Sequence, residues 1–221
     1  MTLEISGWSM CGAALLYELL RVPAQEIGNI MGDYLRDYRL ANLEKINKKH
    51  QQMKKDDKLT NDALRPISPK LGIPLLNAAS LEENDALQGA WARLLTNAVN
   101  PNFKKEIRNA FINILESLSP VEVAILQGFY EILQEGGEWE TPETTNTTIR
   151  INKDALLEEF KLVSIELEAS LLNLERCQLI TTLHPSNNVI INNNRGVNKG
   201  EPSLTALGVL FIQACVVGSY V

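Results

Sequence analysis

Ser80-Leu81-Glu82-Glu83-Asn84-Asp85-Ala86-Leu87-Gln88-Gly89-Ala90-Trp91-Ala92-Arg93-Leu94-Leu95-Thr96-Asn97-Ala98 is the stretch on which the fold turns. Ser80 is spaced to accept from the amide of Glu83, and the Glu83 side chain to return to the amide of Ser80. That reciprocal spacing predicts a capping box at a helix start. Leu87, Trp91, Leu94, Leu95 and Ala98 then recur at helical spacing, which predicts one face packed into a core. Asn100-Pro101 ends the helix.

On the carboxyl side, residues 103–118 read as another helix, burying Ile107, Phe111, Ile114, Leu115 and Leu118. Ser119-Pro120-Val121-Glu122 is a second start signal, with Ser as cap, Pro at the first helical position and Glu at the third. Its helix is predicted to reach about Leu133 and to stop at Gly136-Gly137. Beyond lie a short strand at 148–151, a helix capped by Asn152 and running to Phe160, and a helix over 164–176. Strands at 179–183 and 189–191 flank a turn, and Ser203 is read as the cap of a terminal helix. That order is the order of a winged helix.

On the amino side, the turn and breaker residues Asp56, Asp57, Asn61, Pro66, Ser68, Pro69, Gly72 and Pro74 predict a linker over 56–74. Before it, residues 24–53 read as one long amphipathic helix with Ile27, Ile30, Met31, Tyr34, Tyr38, Ala41 and Ile46 as its apolar stripe. A helix of that length with a single stripe packs lengthwise on another helix or on a second copy of itself. Pro23 separates it from a shorter helix over 9–20. The expected fold class is mainly α, in two domains: a helical domain over 1–118 with the long amphipathic helix, then a winged-helix-like α+β domain over 119–221.

Apolar residues at 45% and charged residues at 22% place the chain among globular proteins. The net charge of −6 is unevenly spread, since residues 21–70 hold eleven Lys or Arg against seven Asp or Glu. A basic segment on an acidic body predicts an electrostatic contact, between subunits or with an anionic partner. Cys11, Cys177 and Cys215 have no metal-ligand or redox spacing and read as buried, reduced thiols of a cytoplasmic protein. The amino terminus lacks the basic region of a secretory signal. The uncharged stretch 202–221 just reaches the length of a membrane span, but its Ser, Thr, Gly and Gln favour a buried helix, so no stable membrane insertion is expected.

The winged order invites duplex DNA, and the charges oppose it. Glu166, Glu168 and Glu175 face Arg176 alone on the would-be recognition helix, where phosphate neutralisation needs Lys and Arg. The basic end of the long helix, Lys45, Lys48 and Lys49 with Arg36, Arg39 and Asn42, is the better candidate for a partner or anion contact. Lysines in a last helical turn also simply solvate it and complement its dipole.

Nothing in the sequence spells out an enzyme. His50 sits among lysines and reads as part of a polar face, and His184 precedes Pro185. Neither has a partner that marks a nucleophile, base or metal ligand, and no cofactor or metal is expected. Glu82-Glu83 and Asp56-Asp57 are adjacent and do not share a helical face.

Three stretches together resemble the abortive infection alpha (Abi-alpha) family, a domain of unknown function in bacterial antiphage defence. They are Gly28 to Asn42, Ile73 to Ala98, and Phe111 to Pro120 extending to Leu126, with the middle one the most specific. The resemblance spans about residues 24–126, and the tail from Leu204 to Cys215 is similar to tails of such proteins. It implies a defence role and carries no catalytic residues. Ser80, Glu82, Glu83, Asn84 and Trp91 read as scaffold of the family stretch.

The leading expectation is a non-enzymatic defence protein that self-associates through its amino-terminal helices and binds a phage or host protein. The alternatives are a nucleic-acid-binding regulator and a membrane-perturbing effector.

Overall fold

The structure is a computed structural model, and it describes residues 36–135, 156–158, 163–182 and 202–216. The readings for residues 9–35, the strand at 148–151, the Asn152 cap, and the strand at 189–191 lie outside the described residues. So do Trp8, Cys11, Trp139 and His184. What is described is mainly helical, and it falls into two units, 1–117 with 213–221 and 118–212.

In the first unit, helix α1 (Arg36–Asp56) carries Asp37 in its first turn and Lys54 and Lys55 in its last, both favourable to the helix dipole. It packs against α3, and its buried face is made by Leu43, Ile46, His50 and Lys54, which recur every three or four residues, with Asn42 beside them. The predicted stripe through Tyr38 and Ala41 is therefore displaced: Tyr38 is exposed and Ala41 half-buried. The apolar pattern ends at Ile46 because polar side chains continue the buried face. His50 is buried, not on a polar face; its Nδ1 lies 2.8 Å from Thr96 Oγ1. The Thr96 hydroxyl also reaches the Ala92 carbonyl, to which it donates at 2.8 Å.

The predicted linker is half right. A loop with a 3-10 turn at Asn61–Ala63 leads into α2 (Pro69–Ala79), which begins where Pro69 takes the first helical turn without needing an N–H. Helix α2 tolerates Pro74 in its interior while burying Leu75, Leu76, Ala78 and Ala79.

Helix α3 (Asp85–Val99) is buried on nearly every side from Leu87 onward and is the hub against which α1, α2 and α4 pack. Arg65 closes its far end: Nε donates to Ala98 O at 2.9 Å, Nη2 to Asn97 O at 3.3 Å, and its amide to Val99 O at 2.9 Å. Helix α4 (Asn109–Glu116) is shorter than the predicted 103–118, because the chain from Asn100 to Arg108 is loop, and it buries Phe111, Ile112, Ile114 and Leu115.

In the second unit, α5 (Pro120–Glu135) starts on the Ser119 signal. Ser119 N–H donates to Glu122 Oε2 at 2.6 Å and Glu122 N–H to Ser119 Oγ at 3.4 Å. The same buried carboxylate takes Asn173 Nδ2 at 3.0 Å, fastening α5 to α6 (Ser164–Arg176). Helix α6 buries Leu167, Leu171 and Leu174. Strand β1 (Ile180–Thr182) pairs antiparallel with β2 (Pro202–Leu204), Thr181 opposite Ser203. Ser203 is thus a strand residue and not a helix cap. Thr205 caps α7 (Ala206–Cys215), its Oγ1 accepting from Gly208 N at 2.9 Å. Helix α6, the two-stranded ladder and α7 follow one another in the chain, with β1 paired to 202–204 and not to the predicted strand at 189–191, and among the described residues they do not establish a winged helix.

Two glycines carry opposite expectations. A Cβ on Gly208 would stand 2.0 Å from Leu179 O, so Gly208→Ala forces β1 and α7 apart and should destabilise the second unit by about 1–3 kcal/mol. A Cβ on Gly89, inside α3, meets nothing within 4 Å, so Gly89→Ala should stabilise the first unit by about 1 kcal/mol through helix propensity alone. Urea unfolding followed by circular dichroism reads both signs.

Candidate functional site

Two of the family stretches, the first and the middle one, meet where α1 crosses the junction between α2 and α3. Ser80 does not open α3. It ends α2, with its hydroxyl on Asn77 O at 2.7 Å and its amide on Leu76 O at 3.0 Å. The cap of α3 is Asn84, whose extended backbone lets Oδ1 accept from Ala86 N at 3.0 Å and Leu87 N at 3.3 Å. Glu82 Oε1 in turn accepts from Asn84 N at 2.8 Å, and buried Gln88 donates to Glu82 O at 2.9 Å. A better cap four residues on has displaced the predicted box.

Helix α1 clasps this turn. Tyr38 donates its hydroxyl to Glu83 Oε1 at 2.5 Å, Arg39 Nη1 donates to Asn77 Oδ1 at 2.8 Å, and buried Asn42 donates to Ser80 O at 3.2 Å. Lys49 reaches Asp85, the first residue of α3, at 2.9 Å. Arg39 Nε is buried with no acceptor among the described residues. These polar side chains are thus the fastening of α1 over a helix–turn–helix corner.

The hydrogen bond to Glu83 raises the Tyr38 phenol above its ordinary 10.0, with desolvation adding to the effect. Because the raised group is held in its protonated form, the bond contributes at neutral pH and is lost as pH rises through the raised value. An absorbance titration of tyrosinate should lose a late-titrating step in Tyr38→Phe.

Not every candidate joins the clasp. Lys45 is exposed, and Lys48 is exposed beside Glu44 at 3.1 Å, both on the side of α1 away from its buried face. Arg36 is the first residue of α1, and its side chain lies outside the described residues. Trp91 is buried in α3, and its indole N–H finds no acceptor among the described residues.

Sequence reasoning missed a second polar group in the same unit. Asp57 pairs with Arg93 at 2.8 Å with both side chains buried, and buried Lys54 donates to Asn61 Oδ1 at 2.7 Å. It also missed Asn97, whose Nδ2 donates to Gln213 O at 3.2 Å and Ala214 O at 3.0 Å. Lys105, its ammonium lowered by burial, donates to the Gln213 side chain. Cys215 is buried, and burial pushes its thiol well above the ordinary range, whereas Cys177 is only half-buried. Among the described residues no group of His, Cys, Asp and Glu gathers for a metal, and no helix is long and apolar enough to cross a membrane.

A family model described as abortive infection alpha matches residues 39–215. The chain belongs to the abortive infection alpha family. The match opens at Arg39, inside the clasp, and runs through both units to Cys215, well past the 24–126 over which the sequence resembled the family. Within the abortive infection alpha match, Arg39, Asn42, Asn77, Ser80, Glu82, Glu83 and Asn84 all serve the corner that positions α1. No curated protein and no solved structure matches the chain.

Proposed function

We propose that the chain is a non-enzymatic antiphage protein of the abortive infection type, acting in the cytoplasm by self-association and by binding a phage or host protein. Membership of the abortive infection alpha family is the observation that carries it. Plaquing on cells carrying the gene, at low and high phage multiplicity with growth followed in parallel, tests the defence role. Protection at low multiplicity with culture collapse at high multiplicity is the expected result. A broad phage panel without protection, native neighbouring genes present, refutes it. Light scattering on a sizing column tests assembly, which fails if the chain runs as a 24.6 kDa monomer at every concentration.

A second reading, nucleic-acid binding through α1, is favoured by Lys45, Lys48 and Lys55 standing exposed along that helix. Three lysines on duplex phosphates correspond to a log–log salt slope of about −3, and absence of binding at low salt removes the reading.

A further inference from the structure

The first unit is not one continuous stretch of chain. It is residues 1–117 together with 213–221, so the division falls inside α7, after Ile212. The end of α7 fills a seat on α3. Asn97, 1% exposed, donates through Nδ2 to Gln213 O at 3.2 Å and to Ala214 O at 3.0 Å. Lys105 donates to the Gln213 side chain, and Ala214 and Cys215 are wholly buried. The last four carbonyls of a helix have no partner within it, and a buried amide needs acceptors. Seat and tail therefore complement each other's polar groups.

At the other division of the chain, α4 and α5 are joined by Ser117, Leu118 and Ser119 alone. Ser117 closes α4 and Ser119 caps α5, so the connection carries little spare length. An element that completes one unit, but is delivered from beyond another, can equally be delivered by a second copy with every contact of the seat unchanged. A short hinge favours that exchange, because few residues limit the ways in which a chain closes on itself. We propose that two copies associate by exchanging their tails. The hinge at 117–119 opens, and residues 213–215 of each copy dock on Asn97 and Lys105 of the other. The seat fixes the occupant: an amide placed for two successive carbonyls, with an ammonium placed for a glutamine side chain, matches the end of α7 that already fills it.

This inference rests on the self-association reading above and names the segment through which it happens. Light scattering on a sizing column, applied to the full chain refolded at low and at high concentration, is the first test. The dimer fraction should rise with the concentration during refolding. Once isolated, the dimer should persist on dilution, because release requires hinge and seat to open together. About six Gly or Ser residues inserted between Leu118 and Ser119 should lower the dimer fraction about tenfold or more, since a long hinge lets each tail reach its own seat. Two differently tagged variants test the contact itself. Asn97→Asp removes the donor of the seat and Ala214→Asp places a charge on the buried tail, so neither homodimer has an intact pair. Refolded together, they form a heterodimer in which the tail of the Asn97→Asp chain fills the seat of the Ala214→Asp chain. It should exceed each homodimer about tenfold or more. Heterodimer at the level of chance, or a dimer indifferent to the hinge insertion, overturns the exchange. If the two variants fail to fold, the hinge insertion decides alone. A dimer that fails these tests discards the exchange and leaves self-association standing, whereas a monomer at every concentration removes both.

Discussion

Arg93→Met should destabilise the first unit by about 3–5 kcal/mol, the cost of breaking a buried ion pair from one side. Arg93 and Asp57 meet at 2.8 Å with side chains 9% and 5% exposed, so solvent screens the pair little. Methionine retains an unbranched stem of similar reach, which keeps the loss to the guanidinium and its hydrogen bond rather than to packing. Asp57 follows the last turn of α1, and its partner sits in the middle of α3. The loss should therefore appear as a lower urea midpoint of the first unit, with α6 and its neighbours unaffected. Adding Asp57→Asn to Arg93→Met should recover about 1–3 kcal/mol as the coupling between the two groups. A single-variant cost below about 1 kcal/mol would put the pair with surface bridges and show that water reaches it.

Trp91→Ala should cost a similar amount, about 3–5 kcal/mol, for a different reason: it empties the largest side chain of the core. Trp91→Phe separates the volume from the polar handle. The indole N–H is buried without an acceptor among the described residues, and an unsatisfied buried donor is itself destabilising. Phenylalanine removes that donor along with part of the ring, so its cost should be well under half that of alanine. Tryptophan fluorescence is altered by the substitution itself, so denaturant unfolding by far-ultraviolet circular dichroism is the suitable readout. Equal costs for Phe and Ala would mean that the indole N–H has found an acceptor.

Local signals were readable and long-range ones were not. Ser119 and Glu122 cap α5 as their spacing predicts, and α6 occupies Ser164–Arg176 as its pattern predicts, because both depend on neighbours within a turn. Ser80 and Glu83 have the same spacing, yet Asn84 takes the cap. Asn42, 38 residues away, fixes the Ser80 carbonyl in the turn that makes this possible. His50 and Lys54 look like solvent-facing residues by type. Their burial follows from Thr96 and Asn61 standing opposite them, and only the fold supplies those partners. Strand β1 was found from its own residues, whereas its neighbour Pro202–Leu204 has no strand-like pattern and owes its conformation to the ladder. For the candidate site, the family stretch contains the residues of the clasp, but Ser80 and Glu83 do not form the capping box their spacing suggests. Arg39 and Asn42 read as a partner or anion contact and Glu82 and Asn84 as scaffold, and only the crossing of α1 over the corner joins them in one clasp.

The Asn97 amide holds the carbonyls of Gln213 and Ala214, 116 and 117 residues further along the chain. On a ribosome, α1 to α4 are made long before the segment that finishes their unit. At roughly 5–20 residues per second, Asn97 waits about 6–23 s for that segment to be synthesised, and longer for it to clear the exit tunnel. Until then, the nascent polypeptide presents an incomplete amino-terminal unit, so maturation is gated by translation reaching the tail.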